Sequence, residues 1–335
     1  MSETSSSCAA AADDINRLIA TGCAKKVFTE DFKDFKSKLG RGKTWQYTND
    51  GSTLGGFKSN DVKIIQGKKS VTFDSAPFTS IPPVGAPIHQ FQIQHDLPPL
   101  TNDEQLGYFI EAYVSTDTPG LNPVPLDLVD PKVDGIPVSQ LGVPDLVPNK
   151  ASSSYDFSLF ELRDSQTGVE IEFLMNATEI AICQGRRDPP PGVKAGYFSH
   201  CNIALRKQFG LERQLHLGLR LNRDGSGVGY LIHDEENGQK RYVEVGRFPS
   251  VGLLSTSTPG AFGGGLDSQD RPIPLAAVKT EPENNITRYQ IVINNSSNLY
   301  LLIPSFDPPI RSPPNYGQGA RSKYSKLKAY VVESL

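Results

Sequence analysis

Residues 168–207 read GVEIEFLMNATEIAICQGRRDPPPGVKAGYFSHCNIALRK, three runs in which polar and apolar side chains alternate. Successive residues of a strand point to opposite faces of a sheet. In the first run Val169, Ile171, Phe173 and Met175 take one side, while Glu172, Leu174 and Asn176 take the other. The second run sets Gln184 beside Arg186, and the third lines up Phe198, His200, Asn202, Ala204 and Arg206. A strand facing bulk water usually carries Lys, Glu, Thr and Ser. Glu, Asn, Gln, Arg and His together can recognise a ligand, so these strands are expected to floor a binding cleft.

Outward from this stretch the alternation continues. KTWQYT, VKIIQG, SVTFDS, HQFQIQHDL and LGYFIEAYVST precede it; RQLHLGLRLN, GVGYLIHDE, QKRYVEVGRF, TRYQIVINN, NLYLLIPS and KLKAYVVES follow. Many short strands with turn signals between them predict a mainly β protein, an antiparallel β-sandwich or jelly roll. Asn222-Arg223-Asp224-Gly225 and Glu236-Asn237-Gly238 read as hairpin turns. At the N-terminus DDINRLIATGCAKK and TEDFKDFKSKL have helical spacing, predicting short helices. Residues 1–40 are thus a helical segment packing on a body formed by 41–335. Two long Pro-rich stretches, 117–150 and 249–283, read as loops, the first as a lid over a site.

Composition narrows the function classes. The 335 residues carry a net charge of -3 and a pI near 6.0, no electrostatic footprint for nucleic acid. The one basic cluster, Arg321 to Lys328, reads as a solvated strand edge. No apolar run has membrane-spanning length, and MSETSSSCAAAADDINRL lacks the features of a secretory signal. A cytoplasmic protein is expected, with no nucleic-acid or membrane partner. In that setting the neighbouring Cys183 and Cys201 read as reduced, buried thiols, and the sequons Asn176-Ala-Thr178 and Asn285-Ile-Thr287 carry no meaning.

No phosphate cradle or nucleophile elbow is present: Gly263-Gly264-Gly265 lacks the spacing and the following Lys. His89 and His95 share one side of a strand and His233-Asp234 enters a turn, neither pair having the pattern of a metal site. No metal and no cofactor are expected. For acid–base chemistry the candidates are Glu172, Arg186, His200, Arg206 and His216, the last alternating with leucines in RQLHLGLRLN. Trp45, Tyr113 and Phe198 are candidate walls of the cleft, although most aromatics in a sandwich are core.

The stretch TGVEIEFLMN…ICQGRR…YFSHCNIALRK…QLHLGLRLNRDGSGVGYLIHDEENGQKRYVEVGRF resembles a β-sandwich family of fungi and actinobacteria. Its fungal members look like the hetero-Diels–Alderases of tropolone–sesquiterpenoid biosynthesis. The resemblance covers about 155–248 and carries over at Asn176, Arg186, His200 and Arg206; where an acidic residue is expected the chain has Gln184-Gly185. It implies a cofactor-free cycloaddition of a humulene-type alkene to a tropolone-derived o-quinone methide. His200, Arg206 and Arg186 would be the catalytic donors. Glu172, Asn176, Gln184, Phe198, Asn202, His216, Tyr113 and Trp45 would bind the two small molecules, with a homodimer left open. Such a reaction needs held reactants and hydrogen-bond donors to a carbonyl, and no nucleophile. The alternative is a carbohydrate-binding or polysaccharide-lyase jelly roll, against which stands the single tryptophan. A structural coat-like sandwich is a third class.

Overall fold

In a computed structural model, residues 15–50, 53–54, 57–58, 63–75, 88–117, 132–133, 136–137, 156–176, 179–186, 195–206, 210–235, 239–249, 261–266, 272–273, 286–298, 302–303, 310–311 and 320–334 are described. For some strand residues, His200 and Arg206 among them, only the backbone is described. Among the described residues one α-helix, α1 (Ile15–Ala20), precedes the strands. These are β1 (Ala24–Glu30), β2 (Gln46–Asp50), β3 (Lys63–Gln66), β4 (Val71–Ser75), β5 (Ile88–Asp96) and β6 (Gln105–Asp117). Then come β7 (Asp156–Asp164), β8 (Val169–Met175), β9 (Glu179–Arg186), β10 (Ala195–Arg206) and β11 (Leu215–Asn222). The last are β12 (Gly227–Asp234), β13 (Lys240–Phe248), β14 (Ala261–Leu266), β15 (Tyr289–Asn298) and β16 (Ala320–Glu333).

The strands form two large antiparallel sheets. Sheet I has eight strands in the order β13-β12-β11-β6-β16-β4-β3, with β1 also paired to β16. Sheet II has nine, a two-residue strand (272–273) followed by β14-β10-β9-β8-β7-β15-β5-β2. The sheets pack face to face. Phe160, Leu162, Ile171 and Phe173 of sheet II meet Leu217, Leu219, Leu221 and Ile110 of sheet I in one core. Glycine brings the layers close where β12 and β13 cross over β9: a Cβ at Gly229 or Gly246 would stand 2.6 or 2.7 Å from Ile182 side-chain atoms. Polar ties also join the layers. Asn295 donates to the Phe73 and Ala320 carbonyls at 3.0 and 3.1 Å and accepts from the Ser322 hydroxyl at 2.8 Å. The predicted β-sandwich is the observed architecture.

Three details differ from the sequence reading. The second N-terminal helix shrinks to a 3-10 turn, Phe35–Lys38, because Phe32 and Asp34 adopt left-handed φ values of 58° and 53° while Phe32 and Phe35 dive into the core. The lysine-rich end of the first predicted helix is strand β1, paired with β16. Arg321–Lys328 is no edge either: β16 runs through the middle of sheet I, between β6 on one side and β4 and β1 on the other. Of the two irregular stretches, 249–283 contains β14, which pairs with β10. Most of 117–150, and with it the predicted lid, lies outside the described residues. The predicted turn at Asn222–Gly225 is formed, with Gly225 at φ 76° and its amide donating to the Asn222 carbonyl at 3.0 Å. Residues 236–238 lie outside the described residues.

Candidate functional site

The single polar face expected over β8, β9, β10 and β11 does not exist, and strand register is the reason. Glu172 stands opposite Cys183, whereas Gln184 stands opposite Ile171 on β8 and His200 on β10. Glu172 therefore belongs to the outer face of sheet II, and Gln184 to the face turned toward sheet I. Gln184 is buried there and donates to the Gly225 carbonyl of the β11–β12 turn. By register His200 lies beside Gln184, Phe198 opposite Arg186 and Asn202 opposite Ile182, while Arg206 pairs with Glu179 beyond a bulge. The side chains of Arg186, Phe198, His200, Asn202 and Arg206 lie outside the described residues. Asn176 follows the end of β8, half-buried.

Trp45 is fully buried, tilted against Phe35 at 5.7 Å between ring centroids, with its indole N–H donating to Glu30 at 3.3 Å. It is a core residue, not a cleft wall. His216 and Tyr113 pair across β11 and β6 on the outer face of sheet I, behind the core from Glu172.

The outer face of sheet II gathers what the sequence reading only touched. Glu170 and Glu172, two apart on β8, point the same way, and Glu161 on β7 is the register partner of Glu172. All three are buried, and one carboxylate oxygen from each lies within 4.8 Å of the others. Arg163, two residues along β7, approaches Glu161 at 3.6 Å and donates to Gln290 at 3.3 Å and to Gln94 at 3.2 Å. Gln290 donates in turn to Asp96 at 2.6 Å. Across from the carboxylates, β9 presents Ala181, Cys183 and Gly185, all small and buried. A wall of acids and amides thus borders a strand with almost no side-chain bulk. Three such oxygens could share a proton between two carboxyls or hold a hard divalent cation. Glu161, Glu170 and Arg163 were missed because the alternation was read from Val169 toward Asn176 without counting Glu170. The period-two pair Glu170 and Glu172 was the available signal.

The outer face of sheet I holds a second polar cluster. Glu111 is buried, with Lys240 Nζ 2.8 Å from both of its oxygens, His216 Nε2 at 3.1 Å and the Tyr330 hydroxyl donating at 3.1 Å. Burial alone would raise its carboxyl, but hydrogen bonds from His216 and Lys240 outweigh that and pull it down to about 2. Tyr113 stacks on His216 with centroids 4.1 Å apart and donates to Asp234 at 2.6 Å. Burial, then that bond, pushes its phenol well above the usual range. Lys326, at φ 51° in a bulge of β16, sets its ammonium 4.8 Å from the Tyr113 ring centre. Every charged member of this cluster meets an opposite charge or a ring, so it reads as a fixed network.

The cysteines also correct the sequence reading. Cys183 is disulfide-bonded, not the reduced thiol expected, and Cys23 is disulfide-bonded too.

No protein-family model and no curated protein sequence matches this chain. Among solved structures it is similar to an endo-acting O-glycanase of human gut bacteria that initiates mucin breakdown (TM-score 0.44, 10% identity, covering 92% of this chain and 100% of that one). It is also similar to an endo-1,3-β-glucanase from Streptomyces sioyaensis (TM-score 0.40, 9% identity, 91% and 96% covered). A third is a family 16 endo-glucanase from Bacteroides ovatus (TM-score 0.41, 9% identity, 90% and 99% covered). At these scores the likeness is one of layered β architecture alone, and the chemistry of the site rests on its own residues.

Proposed function

We propose that this chain binds and cleaves a carbohydrate on the outer face of sheet II, with Glu161, Glu170 and Glu172 as its working carboxylates. One observation carries the reading: three buried glutamates from two adjacent strands, an oxygen of each within 4.8 Å of the other two. Glycoside hydrolysis asks for two carboxyls flanking the scissile bond, one to protonate the leaving oxygen and one to attack or activate water. A separation of about 5 Å belongs to the retaining route, and the wider spacing of about 6.5–9.5 Å to the inverting one. Around the three glutamates, Arg163, Gln94 and Gln290 offer donors and acceptors for sugar hydroxyls, each of which is both.

The test is a panel of neutral, uronate and sulfated polysaccharides, assayed for binding, for new reducing ends and for the ultraviolet absorbance of an unsaturated uronate. Reducing ends without unsaturation are expected. Glu172→Gln and Glu170→Gln should each lower kcat by roughly a hundredfold or more while binding persists. A panel in which nothing is bound or cleaved would discard the reading.

A second reading, the cofactor-free hetero-Diels–Alder addition, is favoured by one observation. The register sets His200 beside Gln184 and Phe198 beside Arg186, donors and an aromatic ring on the same pair of strands. Incubation with humulene and a tropolone quinone-methide precursor tests it. A single-stereoisomer adduct lost in His200→Ala/Arg206→Ala would support it; product identical to the protein-free control would not.

A further inference from the structure

We propose that the disulfide through Cys183 is a positioning element of the carboxylate face, formed with Cys201, and that the chain therefore works in an oxidising compartment. The positioning role rests on the carbohydrate reading above; the pairing and the compartment do not. Cys183 is bonded and almost fully buried, in the middle of sheet II. Its register partner on β8 is Glu172, and its register partner on β10 is Cys201. Directly opposed residues of an antiparallel pair have Cα atoms about 4.5–5.5 Å apart, inside the span that a disulfide bridges. Cys201 is therefore the cysteine within reach.

The location gives the bond its role. The β9–β10 ladder is interrupted by a register shift between Ile180 and Ala181, three residues from Cys183. A ladder with a bulge can slip, and a slip of one residue exchanges every side chain between the two faces. What β9 presents next to the acids depends on its register: Cys183 by Glu172 and Gly185 by Glu170. Cys183 itself stands directly opposite Glu172, so whether its sulfur is tied to β10 or is a free thiol changes what Glu172 faces, and the surroundings of Glu172 depend on the oxidation state of that residue.

The bond forms by thiol–disulfide exchange. Two thiols lose two protons and two electrons, and a protein or glutathione disulfide accepts them as its own two thiols. Such bonds form and persist in oxidising compartments and are rare in the cytosol. Cys23 is bonded as well, and it lies in the small cluster outside sheet I, away from Cys183 on the outer face of sheet II, so the two belong to separate links.

Two measurements test this, neither needing an active enzyme. In the first, protein made under oxidising conditions is alkylated without reduction, digested and mapped by mass spectrometry. A Cys183–Cys201 linked peptide is expected; an alkylated Cys183, or Cys183 linked elsewhere, overturns the pairing and the inference drawn from it. In the second, glutamate carboxyl carbons are followed by 13C NMR against pH, oxidised and reduced, with Glu172→Gln assigning the signal. Reduction should displace the Glu172 titration, reoxidation should restore it, and the Cys183→Ser/Cys201→Ser variant should match the reduced protein. A titration unchanged by reduction, with thermal stability alone falling, would leave the bond a purely structural staple and overturn the positioning role. If glycan cleavage is also found, kcat should fall roughly tenfold or more on reduction with KM little changed.

Discussion

Glu111 shows how one buried charge becomes affordable. A lone ionised carboxylate inside a protein is heavily penalised, and breaking a buried pair strands the remaining charge. Here Lys240, His216, Lys328 and Tyr330 surround it, with Lys328 Nζ at 3.5 Å. Its folded pKa of about 2 lies below the ordinary 4.5. A depressed acid stabilises the fold fully above the unfolded value, and that contribution is lost as pH falls from about 4.5 toward 2. The difference is worth on the order of 3 kcal/mol at neutral pH. Glu111→Gln should therefore cost a few kcal/mol in urea unfolding at pH 7, and the wild-type advantage should shrink progressively below pH 4.5. An advantage as large at pH 2.5 as at pH 7 would contradict the assignment of ionised Glu111 to this network. His216 could be named as a polar candidate from RQLHLGLRLN alone. Its partners could not, since Asp234 and Lys240 come from strands whose register no local pattern states.

At the scale of the strand, the instructive error is one of parity. Alternation in GVEIEFLMN put Val169, Ile171, Phe173 and Met175 on one side, and all four are buried in the core. What it could not supply was how β8 faces β9. The hairpin closes with Met175 opposite Ile180, so residues of opposite parity share a face and Glu172 meets Cys183 instead of Gln184. Between β9 and β10 the parity is the same, and Gln184 meets His200 until the bulge intervenes. A connection longer or shorter by one residue would have produced the face the sequence suggested. Glycine placement follows the same logic of facing elements. Gly229 and Gly246 look like ordinary strand glycines in the sequence, yet both lie under Ile182. Gly229→Ala should destabilise by about 1–3 kcal/mol through overpacking. Ile182→Ala should cost about 2–5 kcal/mol through the cavity it leaves. The double variant should cost clearly less than the sum, because the new methyl group occupies space that Ile182 vacates. Additive losses in denaturant titrations would mean that the two residues do not oppose one another.

The whole molecule is a two-layer sandwich with a third, partial layer on one side. The outer face of sheet I is apolar at one end, where Phe109, Val228, Tyr230, Ile232 and Val332 form a cluster with Ile15 and Leu18 of α1. At the other end it is charged, around Glu111. A six-residue helix is far too short to be stable alone, so packing, not propensity, holds α1 in place. Gly22, at φ 76°, ends it and lets the chain turn back into β1. The two cores are separated by sheet I, and their members do not overlap. Leu18→Glu would place a carboxylate in the smaller core, lifting α1 and baring Tyr230 and Ile232. The expected result is new binding of a hydrophobic dye with the near-ultraviolet dichroism of the main core, including buried Trp45, largely retained. Loss of both signals together would instead show that α1 is integral to the sandwich and that the two cores unfold as one. The carboxylate face lies beyond the opposite side of the main core. Glycan cleavage on that face should therefore survive Leu18→Glu while failing in Glu172→Gln.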